Sequence, residues 1–253
     1  MKRPTARALH GEWTKLRTVP GQLWTLLALP WTMTGCTVLV AAAAHPEESG
    51  TLDPTALSLS GVYLAQTLAV LVAVAVVSAE YPRTIRTTLL ANPRRGQVFT
   101  AKTLLVAAAV AGVAVPAVTL SLAAGRWTLD GVPQLPPTSG ELWRAAFGTA
   151  AYLLLTALLA AGIALIVRHA AAAVGVALTL LYGPYLAILI VKMPDHVLHT
   201  VQKASPMTAG LAVQTVLGTG TAPLSPGEGL AVLAGYAAAA LAAGWGVLRL
   251  RDA

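Results

Sequence analysis

The chemistry-bearing residues are concentrated in one stretch, Ser78 to Lys102, which carries Arg83, Arg86, Arg94, Arg95 and Lys102 against the single acid Glu80. It is the only long, strongly basic segment between hydrophobic runs. As a helix it places Tyr81, Ile85, Thr88 and Leu89 near one face and turns Arg83 and Arg86 elsewhere. A short amphipathic helix with an apolar face and a positive rim is a surface for binding another protein. Asn92-Pro93 should end it, because a residue before proline is driven out of the α region, and Gly96 supports a turn there.

Other constellations are weaker. The histidines, His10, His45, His169, His196 and His199, are scattered, and only His196 and His199, at i, i+3 beside Asp195, have a spacing suited to a metal. A solvated loop is the simpler reading of that pair, and no catalytic, cofactor or metal residues are assigned. The chain contains no Gly-x-x-x-x-Gly-Lys-Ser/Thr phosphate loop, so it has no means of holding ATP itself. The lone Cys36 lies in a hydrophobic run and has no partner for an internal disulfide.

The elements that must position these residues are membrane helices. Only 11% of the 253 residues are charged, well below the roughly 25% of a soluble domain, 56% are hydrophobic, and mean hydropathy is +0.69. The apolar runs are continuous and about 20 residues long, which suits helices crossing a hydrocarbon core of roughly 30 Å better than barrel strands. Six spans are expected, at 23–44, 58–79, 103–124, 145–167, 170–191 and 229–248, in one transmembrane domain covering 1–253. Residues 1–22 read as an interfacial amphipathic helix with Leu9, Trp13 and Leu16 on one face and Lys15 and Arg17 beside them. A cleaved signal is the rival reading, but the run from Leu23 to Ala44 is longer than the usual signal core of about 7–15 residues.

Between spans, 80–102 is a basic loop bearing the amphipathic helix. Gly125 to Arg144, with Pro133, Pro136 and Pro137, is expected to be irregular. Residues 192–227 form a longer connection whose apolar patch, Met207 to Leu217, is too short to cross and suggests interfacial or re-entrant helices. Pro116 should kink the third span and Gly183-Pro184 should break or bend the fifth. Arg168 and His169 alone separate spans four and five, which makes a tight hairpin. Ala231, Gly235, Ala239 and Ala243 form an i, i+4 small-residue ladder that could seat a neighbouring helix, within the chain or from a second copy.

The net charge of +7 could suggest nucleic acid, but the positive residues sit between spans, where they act as topology signals and contact anionic headgroups. With both termini inside, Lys2, Arg3, Arg7, Lys15, Arg17, the five cations of the central stretch, Arg168, Arg249 and Arg251 are cytoplasmic. Only Arg126, Arg144, Lys192 and Lys203 are external. No expected span contains Asp, Glu, Lys, Arg or His. Proton relays and ion-coupled carriers place such groups in the bilayer, so a pump working alone is disfavoured, as is an intramembrane enzyme.

Six spans, cytoplasmic termini, Glu12-Trp13-Thr14-Lys15-Leu16-Arg17, and the run Glu80-Tyr81, Thr84 to Leu89, Pro93-Arg94-Arg95 and Ala101-Lys102 together resemble the permease subunits of type-2 ATP-binding-cassette (ABC) exporters, as found in actinobacteria. The resemblance implies a multi-pass protein of the plasma membrane. The first helix (Leu9, Trp13, Lys15, Leu16, Arg17) would be a connecting elbow. The loop after span two would carry a cytoplasmic coupling helix docking on the ATPase through Glu80, Tyr81, Arg83, Ile85, Arg86, Leu89, Arg94 and Arg95. Two cytoplasmic ATPase copies, holding ATP and Mg, would sit beneath two permeases, either a second copy or a related chain. Membrane lipid, and no nucleic acid, would be the remaining partner. The implied activity is export of a hydrophobic drug, lipid or peptide. Pro82 departs from the pattern by sitting early in the helix. The alternative from the residues alone is a non-transporting sensor, immunity component or scaffold that binds a peptide or lipid.

Overall fold

The computed structural model describes residue 11 and residues 13–43, 53–79, 95–129, 138–191, 194–215 and 224–250. Among them there is no strand, and the chain is an all-helical, multi-pass membrane protein. After a helical segment at 13–18, the helices are α1 (Pro20–Ala43), α2 (Pro54–Ser58), α3 (Val62–Ser78), α4 (Arg95–Thr128), α5 (Ser139–Val167), α6 (Ala170–Ile190), α7 (Asp195–Ala204), α8 (Pro206–Leu211) and α9 (Pro226–Leu250). A 3-10 turn, Ala212–Gln214, continues α8. Helices α1, α4, α5, α6 and α9 are long and apolar enough to cross a membrane; α3 is apolar but only 17 residues, about 25 Å, long.

The column of the bundle is α5, whose apolar window is 61% buried, against 17% in α6 and in α9. It touches α3, α4, α6 and α9. Its start is fixed by a reciprocal cap: Thr138 Oγ1 accepts from the Glu141 N–H (3.4 Å) and Glu141 Oε2 accepts from the Thr138 N–H (3.0 Å). Its end is set by Arg168, which takes a left-handed conformation (φ 59°) while its N–H donates to the Ala164 carbonyl. His169 then caps α6, with Nδ1 accepting from the Ala172 N–H at 3.3 Å. The two-residue gap is thus a helix end and a helix start placed back to back.

Small residues set the closest crossing. A Cβ on Gly162 of α5 would meet the Ala240 carbonyl carbon at 2.6 Å, and one on Gly244 of α9 would meet Leu165 Cβ at 2.8 Å. Only glycine permits that approach, and without a hydrophobic force between helices in lipid such backbone-close packing supplies the attraction. This seam is not the ladder seen in the sequence. Ala231, Gly235, Ala239 and Ala243 face outward, while Leu233, Ala237, Gly244 and Leu248 are the buried row of α9.

Four further sequence expectations are corrected. Gly96 makes no turn: it lies in α4, which begins at Arg95 and is 34 residues, about 51 Å, long, so it outreaches the bilayer core. Gly125–Thr128 and Ser139–Arg144 are helical, so the irregular structure expected over 125–144 does not hold at either end of that stretch; proline bars helix only near its own position. Of the break or bend expected at Gly183-Pro184, the break does not occur: α6 runs on to Ile190, because one missing N–H is tolerated in an otherwise apolar membrane helix. Lys102 belongs to the body of α4 rather than to a loop and is 4% exposed.

Candidate functional site

The contacts sort the helix termini into two ends. At one end lie residues 13–18, the start of α1, the end of α3, the start of α4, the α5–α6 turn and the end of α9. Gln22 of α1 donates through Nε2 to the Ala75 carbonyl (3.2 Å), Lys102 Nζ donates to the Val76 carbonyl (3.4 Å), and Arg168 donates to the Val247 carbonyl (3.4 Å). Phe99 packs on Trp245, 5.1 Å between centroids. Lys15, Arg17, Lys102, Arg168 and Arg249 all gather here, with Arg95 placed here as the first residue of α4, and no acid among the described residues joins them.

The other end holds every described acid. Asp53 caps α2, accepting from the Thr55 and Ala56 N–H groups (2.9 and 3.2 Å). Glu141 and Glu228 close reciprocal caps at the starts of α5 and α9, and Asp195 lies in the first turn of α7. A carboxylate at a helix N-terminus meets free N–H groups and the positive end of the macrodipole, which accounts for all four without catalysis. Arg126, Arg144 and Lys203 share this end, and Arg144 donates to the Thr215 carbonyl at 3.0 Å.

Between the ends, polar side chains tie helices together inside the core. Gln66 of α3 and Tyr152 of α5 are wholly buried; the Tyr152 hydroxyl donates to Gln66 Oε1, and Gln66 Nε2 donates to Met207 Sδ of α8 at 3.4 Å. Gln214 donates to Thr149 Oγ1 at 3.1 Å. The apolar patch after α7 is therefore drawn into the bundle, with Met207, Ala209, Leu211 and Val213 buried against α5 and α9. Nearer the acidic end, the Thr37 and Ser121 hydroxyls share a 2.7 Å bond, Ser121 donates to the Ser58 carbonyl (2.8 Å), and the Gly61 N–H donates to Thr37 (3.2 Å).

The expected docking residues fall on both sides of the described region. Glu80, Tyr81, Arg83, Ile85, Arg86, Leu89 and Arg94 lie outside the described residues, as does Leu9. Arg95 is fixed as the opening residue of α4. Of the elbow set, Leu16 is 1% exposed and part of the bundle core, whereas Trp13 is 48% exposed and Lys15 and Arg17 are at the surface. The one-faced pattern is split because Leu16 is covered by the bundle core while Trp13 stays outside. His196 and His199 are both exposed on α7, and no group of three metal-binding side chains occurs among the described residues.

Sequence reasoning missed the node at the last turn of α3 and the Gln66–Tyr152–Met207 bridge. A glutamine inside an otherwise aliphatic run at 62–78 was the available signal for the bridge, since lipid leaves such a group no partner except another helix. The Thr-x-x-Glu at 138 and Ser-x-x-Glu at 225 were equally visible as capping boxes. Neither a family model nor a curated protein matches the chain.

Proposed function

We propose that this chain is the membrane-spanning permease subunit of an ABC exporter, with α3 as a sixth, shorter crossing and with the basic end in the cytoplasm. Hydrolysis would occur on a separate ATPase bound to the segment between Ala79 and Arg95. The observation that carries the reading is the last turn of α3. Its Ala75 and Val76 carbonyls accept from Gln22 of α1 and Lys102 of α4, so the two ends flanking the basic segment are tied to each other and to the first long helix. A displacement applied at that segment would reach three helices at once.

Three features support this reading. The described cations crowd that end, as positive-inside topology requires. Helix α4 is 34 residues long, more than the bilayer core requires, so its first turns would extend it toward the proposed docking segment. Among the described residues the core contains one buried lysine near its rim and otherwise only neutral groups, which suits a bundle moved by an external motor and a hydrophobic drug, lipid or peptide as cargo.

The test is reconstitution of the full chain with the phosphate-loop ATPase that co-purifies with it. Arg83→Glu with Arg86→Glu should lower chain-stimulated ATP hydrolysis by about tenfold or more while leaving unfolding of the bundle unchanged. Unaltered stimulation removes the docking role. A chain that binds no ATPase yet takes up a peptide or lipid stoichiometrically would favour a sensor or scaffold.

A further inference from the structure

Helix α6 is anchored along part of its length. Its buried residues are Ala173, Ala177 and Leu181, one per turn, and none from Tyr182 to Ile190 is buried. The change falls at Gly183-Pro184. Pro184 has no N–H to offer the Leu180 carbonyl, so the helix continues there with one backbone bond missing, a common cause of a local hinge. At the same height a polar contact ties α6 to α3. The Tyr182 hydroxyl donates to the Tyr63 carbonyl, and because it has a single hydrogen, Thr67 is the donor in the 2.8 Å bond between the Thr67 and Tyr182 hydroxyls. One turn farther, Tyr185 packs on the Tyr63 ring with 5.8 Å between centroids. Helix α7, which follows, has no buried residue either. It is held where it ends: Tyr236 of α9 donates to the Ala204 carbonyl (3.0 Å) and Thr208 of α8 to the Gln202 carbonyl (2.7 Å).

We propose that the acidic-end part of α6, with α7 behind it, is a gate that swings away from α3 about Gly183-Pro184, and that the Thr67–Tyr182–Tyr63 relay is its latch. A segment with little buried apolar contact opens at low cost, and the missing backbone bond sets where it turns. In hydrocarbon a released Tyr182 hydroxyl has no partner, so the latch favours the closed state and is released by water or by another hydrogen-bonding group that replaces it. Gln66 and Thr67 are consecutive residues of α3, so the gap opens beside the Gln66–Tyr152 pair and gives a hydrogen-bonding occupant a way to the polar centre of the bundle. The gate stands independently of whether the protein transports anything.

The test uses the full chain in lipid nanodiscs, with its single cysteine replaced (Cys36→Ala) and nitroxides attached at Leu64→Cys of α3 and Leu189→Cys of α6, both exposed. A second pair, Leu64→Cys with Val176→Cys, places the α6 label on the other side of the hinge. Distances are read by pulsed electron paramagnetic resonance. Tyr182→Phe and Thr67→Val, which each remove one hydroxyl of the relay, should raise the population of a longer 64–189 distance about threefold, the worth of a hydrogen bond between membrane helices. The 64–176 distance should stay as it is in both. Pro184→Ala, which restores the backbone bond, should bring the longer population of Tyr182→Phe back to the unaltered level. Unchanged 64–189 distances in both hydroxyl variants, equal lengthening of the two pairs, or a longer population that survives Pro184→Ala would overturn the proposal.

Discussion

The two ends of the bundle are held by different physics. At the acidic end, hydroxyls, amides and carboxylates close upon one another: Thr37, Ser121 and Ser58 link α1, α4 and α2, Gln214 reaches Thr149, and the acids cap helix starts. At the basic end the helices are joined by the Gly162–Gly244 crossing and by cations donating to helix carbonyls, and Lys15, Arg17 and Arg249 reach the surface. One end turns its carboxylates and many of its hydroxyls onto the chain itself. The other keeps positive charge facing outward, which is the arrangement needed where an anionic surface or a second protein must be met.

That contrast can be broken by substitution. The largest effect is expected at the crossing: Gly162→Leu forces α5 and α9 apart and should cost about 3 kcal/mol or more, read as a shifted midpoint for unfolding in SDS-containing mixed micelles. A loss below about 1 kcal/mol would mean that small-residue packing is not what holds the basic half. Next comes Gln66→Leu, which leaves the buried Tyr152 hydroxyl unsatisfied and should cost about 2 kcal/mol, with Tyr152→Phe added on top recovering about half. If the double variant is no better than the single one, the Gln66–Tyr152 bond is not what links α3 to α5. The smallest effect belongs to the outward charges: Arg249→Gln should stay within about 0.5 kcal/mol, and a larger loss would make that arginine part of the bundle's own framework.

Much of this was readable residue by residue. Leu23 to Ala44 or Ala145 to Val167 can only be membrane helices, because no charged residue interrupts them, and the Arg168-His169 gap permits only a hairpin. Faces were harder. The ladder Ala231, Gly235, Ala239 and Ala243 and the buried row Leu233, Ala237, Gly244 and Leu248 lie on the same helix at similar spacing, and lipid is as apolar as a neighbouring helix, so hydropathy does not distinguish the face toward one from the face toward the other. The split between Leu16 and Trp13 has the same origin: both are apolar residues on one side of a short helix, and only the packing of the bundle decides which is covered.

By itself the sequence determined that the chain is helical, that it belongs in a membrane, and that its positive charge is distributed unevenly between successive loops. Those properties follow from the lengths of apolar runs and from the cost of unpaired backbone in hydrocarbon, both local to a segment. Tertiary structure alone decided that α5 is the central column, that Met207 to Gln214 is drawn inside, and that Lys102 and Gln22 converge on the end of α3. Those depend on which segments lie side by side, and partners 26 to 141 residues apart, such as Val76 and Lys102 or Gln66 and Met207, leave no periodicity in the chain that would reveal them.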